Sequence, residues 1–217
     1  MIKEHNELKN AFNELKELSR DKIISHDSLK TLGNDRRELL YKLIQSKHIY
    51  NNTDLDIAAY AVKTITPEKY KTCFISEHLY SNQNLIEYDP PKNGQNIIKH
   101  GLSFNEVVYF SVRFGSLFVH LDEGRKAIFS GILINEKNNL SYPINNTQGL
   151  FNTISIVADR KNNKPGYRFI SSRIMSKSNY KENVRQALSK IIKDKNEQAM
   201  FINSCVEYIE KNLFFNE

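Results

Sequence analysis

The sequence predicts an α+β fold: a small antiparallel sheet with helices before it and a helix after it. Residues 1–83 carry apolar side chains at helical spacing. Three β-prone stretches follow, separated by Gly, Asn and Pro, at Lys126–Ile134, Asn152–Ala158 and Tyr167–Ser172. A helical pattern returns from Ser176 onward. Because the connections are short, we expect the three strands to form an antiparallel meander.

Residues 1–83 are expected to form a helical extension of four helices. An amphipathic stripe marks the first, at Leu8, Phe12, Leu15 and Leu18. The start signals of the other three are two N-caps and a Pro at a first helical position: Asn34 after Gly33, Thr53, and Thr66-Pro67. No catalytic cluster stands out here, so the extension is interpreted as a packing, regulatory or partner-binding module.

Residues 85–182 are expected to form the central domain, opening with a strand at Leu85–Tyr88 and two helices. The first helix begins after Asp89, and Gly101 stops it. Ser103 and Glu106 form a capping box for the second. The order strand, two helices, three strands and helix is that of an α+β domain. Residues 183–217 continue as a helical tail.

The positive charge of the chain is concentrated in its middle. The 217 residues carry a net charge of +6, and residues 84–180 hold 12 Lys and Arg against 7 Asp and Glu. The two flanking segments are close to neutral. A concentrated basic excess favours a polyanionic partner, with RNA, DNA and an anionic membrane surface all allowed.

Several classes of protein are excluded by simple patterns. No run of 18 apolar residues exists, and the first 20 residues lack the apolar core of a signal peptide. Cys73 and Cys205 are far apart and predict neither a disulfide framework nor, with six scattered His, a zinc site. There is no phosphate-binding glycine motif. We expect a cytoplasmic protein without metal or cofactor.

Four small clusters in the middle segment are candidates for chemistry. Each combines charged residues at the end of a predicted helix or strand. They are Lys99-His100 at a helix end; Asp122-Glu123 with Arg125; Arg160, Lys161 and Lys164 in a turn; and Arg168, Arg173 and Lys177 around the last strand. The odd spacing of Arg168 and Arg173 predicts opposite faces of a flat strand, unless the strand bulges or ends first.

Parts of this segment resemble the BrnT-type toxin family over about residues 85–182. The matching blocks are Tyr88-Asp89-Pro90-Pro91-Lys92-Asn93, Asn96, Lys99-His100-Gly101-Leu102-Ser103-Phe104-Asn105-Glu106, Asp122-Glu123-Gly124-Arg125, Ile170-Ser171-Ser172-Arg173 and the helix start at Ser176. The resemblance implies a RelE-like fold and a metal-independent ribonuclease, the toxin of a bacterial toxin–antitoxin pair. It therefore implies RNA and an antitoxin protein as partners.

The residues themselves fit such chemistry. RNA cleaves itself through its 2′-hydroxyl when a group removes that proton, and Arg or Lys stabilises the charge that develops on phosphorus. Glu123 or His100 is the candidate base. Arg173 is the preferred phosphate-binding group, assisted by Arg125, Arg168 or Lys99. The remaining basic residues are assigned to RNA binding: Arg168, Lys177, Arg160, Lys161 and Lys164.

Structural explanations stand beside these assignments. Lys99 and His100 complement the dipole of a helix C-terminus, and Glu123 fits an ordinary turn that pairs with Arg125. The basic turn at 160–164 is typical of a solvated loop, and Arg173 of a surface charge.

A second functional hypothesis is an inactive RelE-like domain that binds protein or RNA. Ile174 stands where the family commonly has a second basic residue, and the loop at 138–151 is long. In this hypothesis residues 1–83 bind a partner or cover the cleft as an inhibitor. A further alternative is that the helical flanks form a homodimer interface.

Overall fold

The computed structural model describes residues 5–73, 78–80, 86–122, 124–134, 149–160, 165–175 and 192–208, and the single positions 142, 182, 185, 186, 189 and 211. These residues divide into two compact units. The helical unit takes the residues up to His78 together with Tyr88–Lys99. The sheet unit takes Leu79–Glu87 and the residues from His100 onward.

The helical unit is built from six α-helices and one turn of 3₁₀-helix, counted over the described residues. They are α1 (Asn6–Lys16), α2 (Arg20–Ile24), the 3₁₀ turn (Asp27–Leu29), α3 (Asn34–Ser46), α4 (Asn52–Ile65), α5 (Pro67–Tyr70) and α6 (Pro90–His100). The predicted stripe on α1 is confirmed, since Leu8, Phe12 and Leu15 are all buried. Pro67 begins α5 as expected. The expectation of four helices is wrong, because the described residues up to Cys73 hold five α-helices, and His78–Tyr80, also within the expected helical extension, form a strand.

Two of the predicted N-caps are displaced by neighbouring residues. Gly33, and not Asn34, occupies the cap position of α3. Asn51, and not Thr53, caps α4, because its side-chain oxygen accepts a hydrogen bond from the Asp54 backbone N–H at 2.9 Å. In both cases the helix begins one or two residues earlier than the sequence predicted.

Helix α6 packs within the helical unit, although the sequence assigned it to the central domain. Asn93 Nδ2 donates a hydrogen bond to Asp56 Oδ2 of α4 at 2.7 Å, and both residues are fully buried. Gly94 lies against the Asp56 carbonyl, where a Cβ would meet backbone atoms. The division of the chain thus differs from the predicted boundary near residue 84, because α6 buries one face on α4.

The sheet unit confirms the predicted α+β class. Its elements are β1 (His78–Tyr80), β2 (Ile86–Tyr88), α7 (Phe104–Phe114), β3 (Ser116–Asp122), β4 (Arg125–Ile134), β5 (Gly149–Asp159), β6 (Tyr167–Met175) and α8 (Lys195–Tyr208). The strand order is β1-β2-β6-β5-β4-β3. The last four strands in sequence pair antiparallel with their neighbours, as the predicted meander requires.

Local signals in the sheet unit act as predicted. Gly101 adopts a positive φ of 71° directly after α6. The capping box of α7 is complete: Glu106 N–H donates to Ser103 Oγ at 3.2 Å, and Ser103 N–H donates to Glu106 Oε2 at 2.7 Å. Strand β3 was missed, although Leu117, Val119 and Leu121 alternate in the sequence.

Two helices cover opposite faces of the sheet. Phe104 of α7 packs on Phe169 of β6, with ring centroids 5.2 Å apart. On the other face, Ile202, Cys205 and Val206 of α8 join a buried cluster with strand residues that include Val119, Ala127, Phe129, Ile154 and Met175. The predicted C-terminal tail therefore contributes to the core of the sheet unit. The predicted helix start at Ser176 lies outside the described residues.

Candidate arginine site on the sheet

Three of the predicted arginines share one face of the sheet. Arg125 of β4 and Arg168 of β6 both pair with Ala158 of the intervening strand β5. Arg173 pairs with Ile154, four residues along β5 from Ala158. Because residues four apart on a regular strand point to the same side, the three arginines project from one face. We call it the arginine face.

A β-bulge in β6 produces this arrangement. The register shifts between Ile156 and Val157, which pair with Ser171 and Phe169, so that Ile170 is the extra residue. A bulge of one residue reverses the alternation beyond it and re-aims the side chains. Arg168 and Arg173, whose odd spacing predicts opposite faces, are thereby brought to the same face.

The arginine face is the face that α8 covers, because Ile154, the partner of Arg173 in β5, belongs to the cluster that α8 buries. The three arginines lie beside that cluster, at a spacing that suits an extended polyanion. Arg125 and Arg168 are two strands apart, which corresponds to about 10 Å between their backbones. Arg173 lies about 13 Å farther along, since each strand residue advances by about 3.3 Å. Arg125 and Arg173 are exposed, and the Arg168 side chain is 21% exposed. Their guanidinium groups present several donors each to phosphate oxygens.

A buried carboxylate supports one end of this row. Glu87 of β2 accepts a hydrogen bond from Arg168 Nη1 at 2.7 Å and another from Arg160 Nε at 3.1 Å. Arg160 Nη1 also donates to the Pro165 carbonyl at 2.9 Å. The side chains of Glu87 and Arg160 are 9% and 5% exposed. The described contacts thus join one carboxylate to two guanidinium groups.

These contacts separate the roles of the two arginines. Arg160, assigned to RNA binding from the sequence, is buried with its guanidinium bound to Glu87 and Pro165, so it supports the site from beneath. Arg168 is held by Glu87 but stays partly open to solvent. Sequence reasoning missed Glu87. The sequence did hold an indication, because Glu87 is an acidic residue inside an apolar strand. Glu is buried at such a position when it pairs with a basic side chain.

The helix-end pair has a structural explanation. Arg36 of α3 donates to the carbonyls of Ile98 at 2.6 Å and Ile97 at 3.3 Å, so it satisfies the C-terminal end of α6. Lys99 is exposed and belongs to the helical unit. His100 is half-buried and is the first residue of the long segment, from His100 onward, that belongs to the sheet unit. The strand register that aligns the three arginines does not include Lys99 or His100.

The other predicted site residues are not described by the structure. Glu123, Lys161, Lys164 and Lys177 lie outside the described residues, and their roles stay predictions. Within the described part of the chain, no three His, Cys, Asp or Glu residues form a group that holds a metal ion. The helices described there include none that is long and apolar enough to cross a membrane.

The two cysteines are poor candidates for a nucleophile. Burial raises the pKa of the Cys205 thiol, which is packed in the core beneath α8. Burial, with a smaller contribution from Glu7, raises the pKa of the half-buried Cys73. Because the thiolate is the reactive form, both shifts lower the reactivity.

Comparison of the chain with protein-family models, curated proteins and solved structures finds no match.

Proposed function

We propose that the protein is a metal-independent endoribonuclease that binds RNA on the arginine face and acts as a growth-arrest toxin. The observation that supports this proposal is the bulge in β6, which aligns Arg168 and Arg173 on the face of Arg125. The resemblance of the middle segment to BrnT-type toxins of RelE-like fold names RNA as the polyanion. If the protein is such a toxin, its protein partner is an antitoxin.

The reaction follows from the chemistry of RNA. The 2′-oxygen attacks the adjacent phosphorus while a base, Glu123 or His100, takes the 2′-proton. The phosphorane carries additional negative charge, which Arg173, with Arg125 or Arg168, stabilises through charged hydrogen bonds. As the bond between phosphorus and the 5′-oxygen breaks, that oxygen takes a proton from the conjugate acid of the base or from water. The products are a 2′,3′-cyclic phosphate and a 5′-hydroxyl, so no metal ion is needed.

Cleavage of a labelled RNA in EDTA tests this proposal. We expect Arg173→Gln to slow cleavage by about 100- to 1000-fold, the loss typical of removing one donor to a developing oxyanion. Arg185→Gln is the matched control, because Arg185 is an exposed arginine of the C-terminal segment that pairs with Glu182. Glu123→Ala tests the candidate base in the same assay.

The substrate supplies a second, independent test. A single 2′-deoxy nucleotide at the cleaved position should abolish cleavage there, because the attacking oxygen is missing. Cleavage that requires added metal, or that survives the 2′-deoxy substitution, contradicts the mechanism. Equal cleavage by wild type and Arg173→Gln contradicts the site.

A second candidate function is RNA or protein binding without cleavage. It is favoured by Ile174, which stands where the resembled family commonly has a second basic residue, and by the long loop at 138–151. Under this hypothesis wild type binds RNA, with an affinity that falls steeply with salt, but neither cleaves it nor slows bacterial growth on induction.

We also propose that the helical extension, residues 1–83, either inhibits the enzyme or binds a partner protein. Deleting residues 1–83 is a poor test, because α6 would lose Asp56 and the rest of its packing surface. The deletion is therefore interpreted only where thermal unfolding shows that the shortened protein is folded. If the extension inhibits, such protein should cleave RNA faster than wild type, and unchanged or slower cleavage counts against inhibition.

A further inference from the structure

The face of the sheet opposite the arginines carries a cluster of aromatic side chains. Phe118 and His120 of β3 pair with Ile128 and Lys126 of β4. These positions alternate with Arg125 and therefore lie on the face that α7 covers. Tyr167 precedes Arg168 in β6 and pairs with Asp159, so it also lies on that face. We call Phe118, His120, Lys126 and Tyr167 the aromatic platform.

The rings of the platform are held in place by neighbouring contacts. The centroids of Phe118 and Tyr167 are 5.4 Å apart, and the ring planes are inclined by 36°. Lys126 Nζ lies 5.0 Å from the centroid of Tyr167 and 2.6 Å from Asp159 Oδ1. The lysine thereby joins a cation–π contact to an ion pair, which orients Tyr167.

The exposure of Phe118 is not explained by the core. Phe118 is 43% exposed, whereas the buried cluster on the other face includes its neighbour Val119. An exposed ring next to a second ring and cationic groups is the arrangement on which proteins stack unpaired nucleobases. Because Asp159 neutralises Lys126, the platform is suited to the apolar face of a base rather than to a phosphate.

We propose that the aromatic platform stacks an unpaired base of single-stranded RNA, with Phe118 as the principal stacking ring. The proposal rests on the RNA binding proposed above and adds a preference for unpaired RNA. Arg125 and Lys126 are adjacent in β4 and point to opposite faces. An RNA strand bound at Arg125 therefore reaches the platform around the end of β4.

The experiment measures binding of a fluorescent single-stranded RNA, and of the same RNA annealed to its complement, as a function of salt. We expect Phe118→Leu, which keeps an apolar side chain but removes the ring, to weaken single-strand binding by about tenfold. Duplex binding should change less than twofold. Tyr167→Phe keeps the ring and should bind like wild type. Val112→Ala controls for loss of an exposed apolar side chain elsewhere in the unit.

The salt dependence separates this proposal from the arginine site. The slope of log affinity against log salt should stay unchanged in Phe118→Leu, because no phosphate contact is lost. It should become shallower by about 0.7 in Arg173→Gln, the value for one phosphate contact on a single strand.

The outcomes are distinguishable. If Phe118→Leu binds single strands as wild type does while Arg173→Gln is weakened, the platform proposal is overturned and the arginine site stands. If Phe118→Leu is weakened and Arg173→Gln is not, the platform stands and the arginine site fails. Equal losses on single strands and duplex overturn base stacking, and absence of RNA binding overturns both proposals. Thermal unfolding of each variant identifies any loss that comes from unfolding.

Discussion

A buried carboxylate in each unit makes a described contact of a different kind, although the helical unit also buries Asp54, which pairs with Lys47 Nζ at 2.9 Å. In the helical unit, Asp56 accepts a hydrogen bond from the neutral amide of Asn93. In the sheet unit, Glu87 binds the two charged side chains Arg160 and Arg168. The first contact joins two helices through a neutral donor. The second fixes a cation on the arginine face, beside the cluster that α8 buries.

The comparison shows two structural uses of a buried carboxylate: one joins two helices, and the other positions an arginine. The described contact of Asp56 joins α4 to α6 at the place where Gly94 permits their close approach. Glu87 instead is shared by two arginines of the sheet unit. A buried ion pair contributes little net stability over an apolar replacement, but removing one partner is costly. We therefore interpret the Glu87 cluster as a device for positioning Arg168.

Two changes share the largest expected effect, and the first is Gly94→Ala in the helical unit. The new Cβ would overlap the Asp56 carbonyl and lie 2.8 Å from Tyr60 Cβ, so α4 and α6 must separate. We expect a loss of about 3 kcal/mol or more in the free energy of unfolding, the upper range for overpacking. Gly33→Ala is the matched control, since a Cβ there meets nothing within 4 Å and φ is −62°. Equal stability of the two variants in urea denaturation would contradict the close approach.

Glu87→Ala is the corresponding change in the sheet unit. It leaves the buried Arg160 and the partly buried Arg168 without their shared carboxylate. We expect a loss of about 3–5 kcal/mol, the range for breaking a buried ion pair. Asp159→Ala is the control, because its pair with Lys126 has Asp159 about half exposed, and such a pair contributes about 0–1 kcal/mol. A loss below that of Asp159→Ala would show that Glu87 does not hold the arginines.

A smaller effect is expected at the capping box of α7. Ser103→Ala removes the acceptor of the Glu106 N–H and should cost about 1 kcal/mol, measured by thermal unfolding. Ser111→Ala within the same helix controls for the loss of a hydroxyl and should be close to neutral, because Ala favours helices. If both serines give the same change, the cap does not stabilise the helix.

The smallest effect concerns the two thiols, one in each unit. Since burial raises the pKa of Cys205, the native state holds the proton more tightly than the unfolded chain. Its contribution to stability is thus complete below the unfolded pKa of about 8.5 and is lost as pH rises through the higher folded pKa. Alkylation at pH 8 followed by mass spectrometry should label Cys73 well before Cys205. The reverse order would contradict the burial of Cys205.

Much of the local structure was predictable because its signals act over a few residues. The capping box at Ser103 and Glu106 and the stop at Gly101 depend on hydrogen bonds and backbone angles within one turn. The same reasoning misplaced the caps at Asn34 and Thr53, since an adjacent Gly or Asn performs the same role. Strand β3 was missed even though its apolar residues alternate.

The arrangement of the candidate site was less predictable. Arg125, Arg168 and Arg173 were chosen from the sequence, but their common face depends on how β6 pairs with β5. Glu87 is separated from Arg160 and Arg168 by 73 and 81 residues. No local pattern relates residues that far apart, and the role of Arg160 changed for that reason.

By itself, the sequence determined the α+β class, most helix and strand positions and the basic middle segment, because propensity, capping and charge are properties of neighbouring residues. Only the tertiary structure decided that α6 packs on α4, that a bulge at Ile170 aligns the arginines, and that Glu87 pairs with two of them. Strand register and close packing are set by contacts between distant segments. A shift of one residue in that register moves a side chain to the other face of the sheet.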